Sequence, residues 1–202
     1  MTRALLLVSA LLTAACGVGE GEGWVKSDKL YIEDCWNGTF DLGPDFFAAN
    51  PSTMSDSLMI RVQHGDIQEE QSDGVTVVVN RLPQVRGQVG TDIEVGLPPG
   101  VSPPGVPIVY DADPPEVSIA LYLHGSCHAQ NGTVYSIAGT INFASLYSGD
   151  PYEDEASERL TEARFDAIFA DPRNLMDPNE QSQVSGYFRF FYERGQPAQP
   201  FQ

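Results

Sequence analysis

The sequence predicts an all-β domain, an antiparallel β-sandwich, on three observations. Apolar residues alternate with polar ones along several segments, and a period of two marks half-buried strands. Turn formers separate those segments, with 19 glycines and 15 prolines among 202 residues, which favours tight turns over long helices. No strand–helix alternation runs through the chain, so a parallel α/β sheet is not expected. The expectation is eight or nine short strands, a proline-rich crossover loop and little or no helix outside the N-terminal leader. The length fits one domain, and 42% hydrophobic residues suffice for a core.

Charge narrows the function classes. The chain has 28 Asp and Glu against 11 Lys and Arg, a formal charge of -17. A nucleic-acid interface needs clustered bases, so no nucleic-acid partner is expected. Adhesion to anionic lipid through a basic patch is disfavoured on the same ground.

The leader comes first in the chain. Met1-Thr2-Arg3 is a short charged start, residues 4–12 (ALLLVSALL) are apolar, and Thr13-Ala14-Ala15 supplies small residues before Cys16. This is the pattern of a secretory signal. Its apolar run rises only about 14 Å as a helix, too short to cross a bilayer. Leu12-Thr13-Ala14-Ala15-Cys16 resembles the lipobox of bacterial lipoprotein precursors. That resemblance implies removal of residues 1–15 and lipidation of Cys16 by acyl chains such as palmitate. Two acyl signals hold a protein stably on a membrane. Gly17 stands where that family, in enteric bacteria, carries Asp for inner-membrane retention. Its presence implies the outer membrane rather than the inner. Residues 16–23 (CGVGEGEG) read as the lipidated Cys and a flexible tether, 24–194 as the β-sandwich, and 195–202 as an extended C-terminal tail. The body is similar to small bacterial envelope lipoproteins, a likeness that implies no activity.

The strands follow. Leu58, Ile60 and Val62 share a face, as do Val75, Val77 and Val79, and then Ile93, Val95 and Leu97. Val117, Ile119, Leu121 and Leu123 alternate with Ser118, Tyr122 and His124. Tyr135, Ile137, Ile141 and Phe143 are expected on one face, against Ser136, Thr140 and Asn142. Val184, Phe188, Phe190 and Tyr192 are expected on another, with Tyr187 and Phe191 pointing away. Two periods compete over residues 160–169. A strand groups Thr161, Ala163, Phe165, Ala167 and Phe169; a helix groups Ala156, Leu160, Ala163 and Ala167. The strand face is larger and is favoured. Residues 97–115 hold seven prolines and read as a stiff crossover, with the PxxP spacing of Pro104 and Pro107 incidental.

Two cysteines remain besides Cys16. In an exported chain, Cys35 and Cys127 are expected to pair as a disulfide, which in the chain-entropy model contributes about 4.7 kcal/mol. His124-Gly125-Ser126-Cys127-His128 invites a metal or nucleophile reading. The two histidines would lie about 13 Å apart on a strand, and a disulfide removes the thiolate. The stretch reads instead as a strand end with two exposed histidines, and no metal site is assigned.

Acids cluster at Asp150, Glu153, Asp154 and Glu155, at Asp111 and Asp113, and at Asp66, Glu69, Glu70 and Asp73. The first group is a candidate for calcium, which needs six to eight oxygens. A carboxylate pair across a cleft would suit glycan hydrolysis. The catalytic motifs GxSxG and HExxH, a P-loop and a GxGxxG helix entry are all missing from the sequence. The leading expectation is therefore a non-catalytic binding or structural module of the bacterial cell envelope. It would be anchored by lipid and would face an envelope or extracellular protein or glycan. The alternatives are a calcium-dependent adhesion or matrix module and a carboxylate-dependent glycan or peptidoglycan hydrolase.

Overall fold

The computed structural model describes residues 21–52, 54–65, 68–103, 105–108, 113–127 and 132–192. The leader, Cys16, His128, Asp66, Asp111 and the tail at 195–202 lie outside those residues. The strands are β1 Gly21–Ile32, β2 Trp36–Leu42, β3 Phe46–Ser52, β4 Ser57–Gly65, β5 Ser72–Val79, β6 Asp92–Glu94, β7 Val117–Leu123, β8 Thr133–Ser145, β9 Leu160–Ala170 and β10 Ser182–Phe191. One short helix, α1 (Leu82–Arg86), buries Leu82 and Val85. Two 3-10 turns occupy Glu69–Gln71 and Ala156–Arg159.

The all-β expectation is met, and every strand pairing is antiparallel. The strands join into one hydrogen-bonded sheet, in the order β2-β1-β10-β9-β8-β7-β5-β4-β3, with β6 also on β8. The layers are therefore parts of one continuous sheet curled over a common core. Phe47 on edge strand β3 stacks on Phe190 of β10 with ring centroids 5.8 Å apart. The backbone of Gly21 passes so close to Phe47 that a Cβ there would sit 2.7 Å from its ring. A single apolar cluster runs from Val25 through Ile60, Val77, Ile119, Ile141 and Phe165 to Phe188. Strand β8 takes two partners in succession: β7 pairs its first part (Thr133 to Tyr135), and β6 pairs Thr140 to Asn142 further along.

The contested segment is strand β9, with Thr161, Ala163, Phe165, Ala167 and Phe169 all buried. Its core face outweighs the helical alternative because Ala163, Phe165, Ala167 and Phe169 all join the common core. Residues 97–115 contain no strand among the described residues and link β6 to β7, as their prolines require.

Three expectations need correction. Residues 21–23 belong to β1 rather than to the tether: Gly21, Glu22 and Gly23 pair with Phe190, Arg189 and Phe188. Tyr135 and Ile137 do not share a face with Ile141 and Phe143. The register shifts between Ser136 and Ala138, and Val134 and Ser136 point inward instead. Gly139, at φ +115, accommodates this bulge, a conformation that L side chains rarely adopt. Ile93, Val95 and Leu97 do not form one strand; β6 ends at Glu94, and Val95 makes a lone parallel bridge to Val117.

Candidate functional site

The surface that strand register assembles is the outward face of β1, β10, β9 and β8. Core-facing Val25, Phe188, Ala163 and Phe143 fix the parity, so their neighbours in sequence point away. One cross-strand row reads Trp24, Tyr187, Arg164, Asn142 and Asp92. The next reads Asp41, Lys26, Ser185, Asp166, Thr140 and Glu94. On the other side lie Glu22, Arg189, Glu162 and Ser145.

Three rings of this face each lie under a cation. The Arg164 guanidinium carbon lies 5.9 Å from the Tyr187 ring, Lys26 Nζ 5.9 Å from Trp24, and Arg189 5.9 Å from Phe191. That distance is at the outer limit of cation–π attraction. Tyr187 donates its hydroxyl to Glu162 Oε1 at 3.2 Å. Desolvation first, and that carboxylate second, push the Tyr187 phenol above its ordinary value.

Beside this row β1 bulges between Ser27 and Leu30 and parts from β10. Ser27 Oγ bridges to Gln183 O at 2.7 Å, and Tyr31 N reaches Ser182 Oγ at 2.8 Å. The gap is a cleft of about 250 Å³ lined by Lys26, Ser27, Asp28, Lys29, Gln183 and Ser185, with Gln181 at its end. At the opposite end of the row, β6 borders a cleft of about 450 Å³ holding Asp92, Glu94 and Glu116. Gln84 and Gln88 donate to the two oxygens of Glu116, at 2.6 and 2.9 Å.

Cys35 and Cys127 form the expected disulfide, with Cα atoms 5.7 Å apart. It ties the β1–β2 turn to the segment after β7. The histidine reading is corrected in one respect: His124 is half-buried rather than exposed. Its ring stacks on Tyr122 at 5.2 Å, with Nδ1 3.1 Å from Glu69 O and Nε2 3.0 Å from Thr133 Oγ1. A carbonyl can only accept, so Nδ1–H donates to Glu69 O, and the Thr133 hydroxyl partners Nε2. Gly125 N bonds Ser72 O, and Ser126 bonds Asp73. His124, Gly125 and Ser126 thus tie the end of β7 to the start of β5 and the turn before it.

Two of the four calcium candidates, Asp150 and Glu153, serve as turn caps. Asp150 Oδ1 accepts from Tyr152 N, and Glu153 Oε1 accepts from Glu155 N. Among the described residues no group of three or more His, Cys, Asp or Glu side chains is placed to hold a metal ion.

Sequence reasoning singled out Tyr187 and Phe191 as outward but missed Trp24 and Arg164. Only strand register puts these four on one surface. No protein-family model, no curated protein and no solved structure matches the chain.

Proposed function

We propose that this chain is a lipid-anchored protein of the bacterial cell envelope whose body is a non-catalytic binding module. The outward face of β1, β10 and β9 is its binding surface. The observation that carries the reading is the pairing of Trp24 with Tyr187 across β1 and β10, open to solvent beside Arg164. Large aromatic rings left half-exposed on a sheet, next to an arginine, are the composition of recognition surfaces. The lipobox-like leader supports the anchor. Lipidated Cys16 would then lie at most about 18 Å from Gly21 by chain length. The sheet end bearing Gly21 and Phe190 would be the membrane-proximal one.

The full chain expressed in a bacterial host should incorporate labelled palmitate, and Cys16→Ser should not. Wild type without label overturns the anchor. Protein released in detergent should be retained on washed envelope fragments, and Trp24→Ala and Tyr187→Ala should lose that retention. Unchanged retention in both variants overturns the binding face.

One observation favours a second reading, a carboxylate-dependent glycan hydrolase. Asp92, Glu94 and Glu116 share the larger cleft, and the Trp24 row leads to Asp92. Release of reducing ends from envelope glycan, abolished by Asp92→Asn or Glu116→Gln, would establish it in place of simple binding.

A further inference from the structure

We infer that the ligand of this face is an acidic glycan, a pyranose chain bearing oxyanion groups. The inference rests on the reading of that face as a binding surface and names its ligand class.

The aromatic pair supplies the first half of the argument. A pyranose presents a patch of C–H bonds on each ring face and hydroxyls around its edge. Flat aromatic rings match the former, and planar polar groups match vicinal hydroxyls two at a time. Trp24 and Tyr187 are cross-strand partners on a sheet, so their side chains emerge side by side. Arg164, Asn142 and Asp92 continue the same row with planar polar groups. Strands lie about 4.8 Å apart, so five positions span roughly 19 Å, an extended track rather than a single pocket.

Charge supplies the second half. Acids outnumber bases 28 to 11, so a base without an acidic neighbour is the exception. Arg61, Arg81, Arg86 and Arg173 each pair with carboxylates. Arg159, Arg164 and Lys29 make no ion pair among the described residues; Lys29 donates to Asn179 O at 3.4 Å, and Arg164 and Lys29 border this track. Lys26 and Lys29, the only lysines in the chain, line the cleft opened by the β1 bulge. The Lys26–Asp41 pair is open to water at both ends, 53% and 68% exposed, so it competes poorly with a bound anion. Several acids of the track are engaged, while Glu94 at its far end makes no ion pair among the described residues. Glu22 and Glu162 face Arg189, and Asp166 accepts from Gln183. Asp28 alone opposes an anion in the cleft. Repulsion from the rest of the acidic body is screened beyond about 8 Å at physiological ionic strength.

The test is calorimetric titration of the detergent-solubilised full chain with three probes of equal length. They are oligogalacturonate, its carboxyl-reduced neutral form, and a phosphorylated oligomannose. The acidic probes should bind at least tenfold more tightly than the neutral one, and whichever binds better identifies the oxyanion. Arg164→Gln and Lys29→Gln are surface changes that leave the core intact. Each should weaken acidic binding several-fold and narrow the preference over the neutral probe, and Asp28→Asn should strengthen acidic binding. Equal affinity for the neutral probe, or unchanged affinity in both cation variants, overturns the inference. If no probe binds while Trp24-dependent envelope retention persists, the glycan assignment falls and the binding surface stands. If retention is also lost from the wild type, both fall.

Discussion

Arg173 grips Asp171 at two points, with Nε 2.9 Å from Oδ1 and Nη2 2.6 Å from Oδ2. Asp171 is 1% exposed and also accepts the backbone N–H of Glu33 at 3.2 Å and of Arg173 at 2.9 Å. Arg173 donates onward to Glu33 O at 2.8 Å. The pair therefore fastens the β9–β10 loop to the β1–β2 turn, three strands' width of sheet held by one carboxylate. Hydrogen bonding to Asp171 raises the Arg173 guanidinium above its ordinary value, so the arginine keeps its charge on the alkaline side. Removing the arginine strands a buried charge, and Arg173→Ala should cost about 3 kcal/mol in urea unfolding. Arg173→Lys should recover less than half, because an ammonium lacks the planar fork. A loss below 1 kcal/mol for Arg173→Ala would show the clamp to be ornamental.

The same turn carries Cys35, so the disulfide and the clamp share a task. Cys35→Ser with Cys127→Ser should lower stability by about 2–5 kcal/mol. The two sites hold one turn, so their costs should not add: the combined variant should lose measurably less than the sum of the parts. Thermal melts of the four proteins read this coupling. Strict additivity would mean that the turn is held at two independent places.

How far the chain could be read follows from where its period of two survives. β4, β5, β7, β9 and β10 keep unbroken parity, so their inward residues stood out in the linear sequence. β1 hides because its bulge moves the inward set from Val25 and Ser27 to Leu30 and Ile32. β8 misleads for the same reason at Ser136, where an inserted residue flips every later side chain. The binding face was half legible. Tyr187 betrayed its outward direction by alternation, but Trp24 and Arg164 became its neighbours through pairings between β1, β9 and β10 that sit far apart in the chain. Cys35 and Cys127 were legible from compartment chemistry alone.

Gly139 tests the bulge directly. A Cβ there would lie 2.5 Å from Ala167 Cα, and the residue sits at φ +115. Gly139→Ala should therefore cost at least about 2 kcal/mol. Gly38 in β2 is the matched control, since a Cβ there meets nothing within 4 Å. Gly38→Ala should be neutral or slightly stabilising. Equal urea midpoints for the two variants would mean that the β8 bulge relaxes freely.

Tyr122 sets the response to alkali. It is 1% exposed, lies across Gly74 and donates its hydroxyl to Gln63 Oε1 at 2.9 Å. Burial, then the nearby Glu69 carboxylate, raise its phenol well above the ordinary value of 10.0. The sign follows from proton counting. Below pH 10 both folded and unfolded chains keep the proton, and this group adds no pH dependence. Above pH 10 the unfolded chain releases it first, so the unfolded state binds fewer protons and stability falls as pH rises. The fall is about 1.4 kcal/mol per pH unit for one such tyrosine. Tyr147, fully buried and raised by burial in the same direction, should contribute a second, similar slope. Tyr122→Phe gives up one hydrogen bond and should be less stable than wild type near pH 8. Its loss of stability between pH 10 and 11 should nevertheless be shallower by about one proton. Urea unfolding at half-unit pH steps measures both quantities, and parallel curves for the two proteins would show that Tyr122 ionises freely in the folded state.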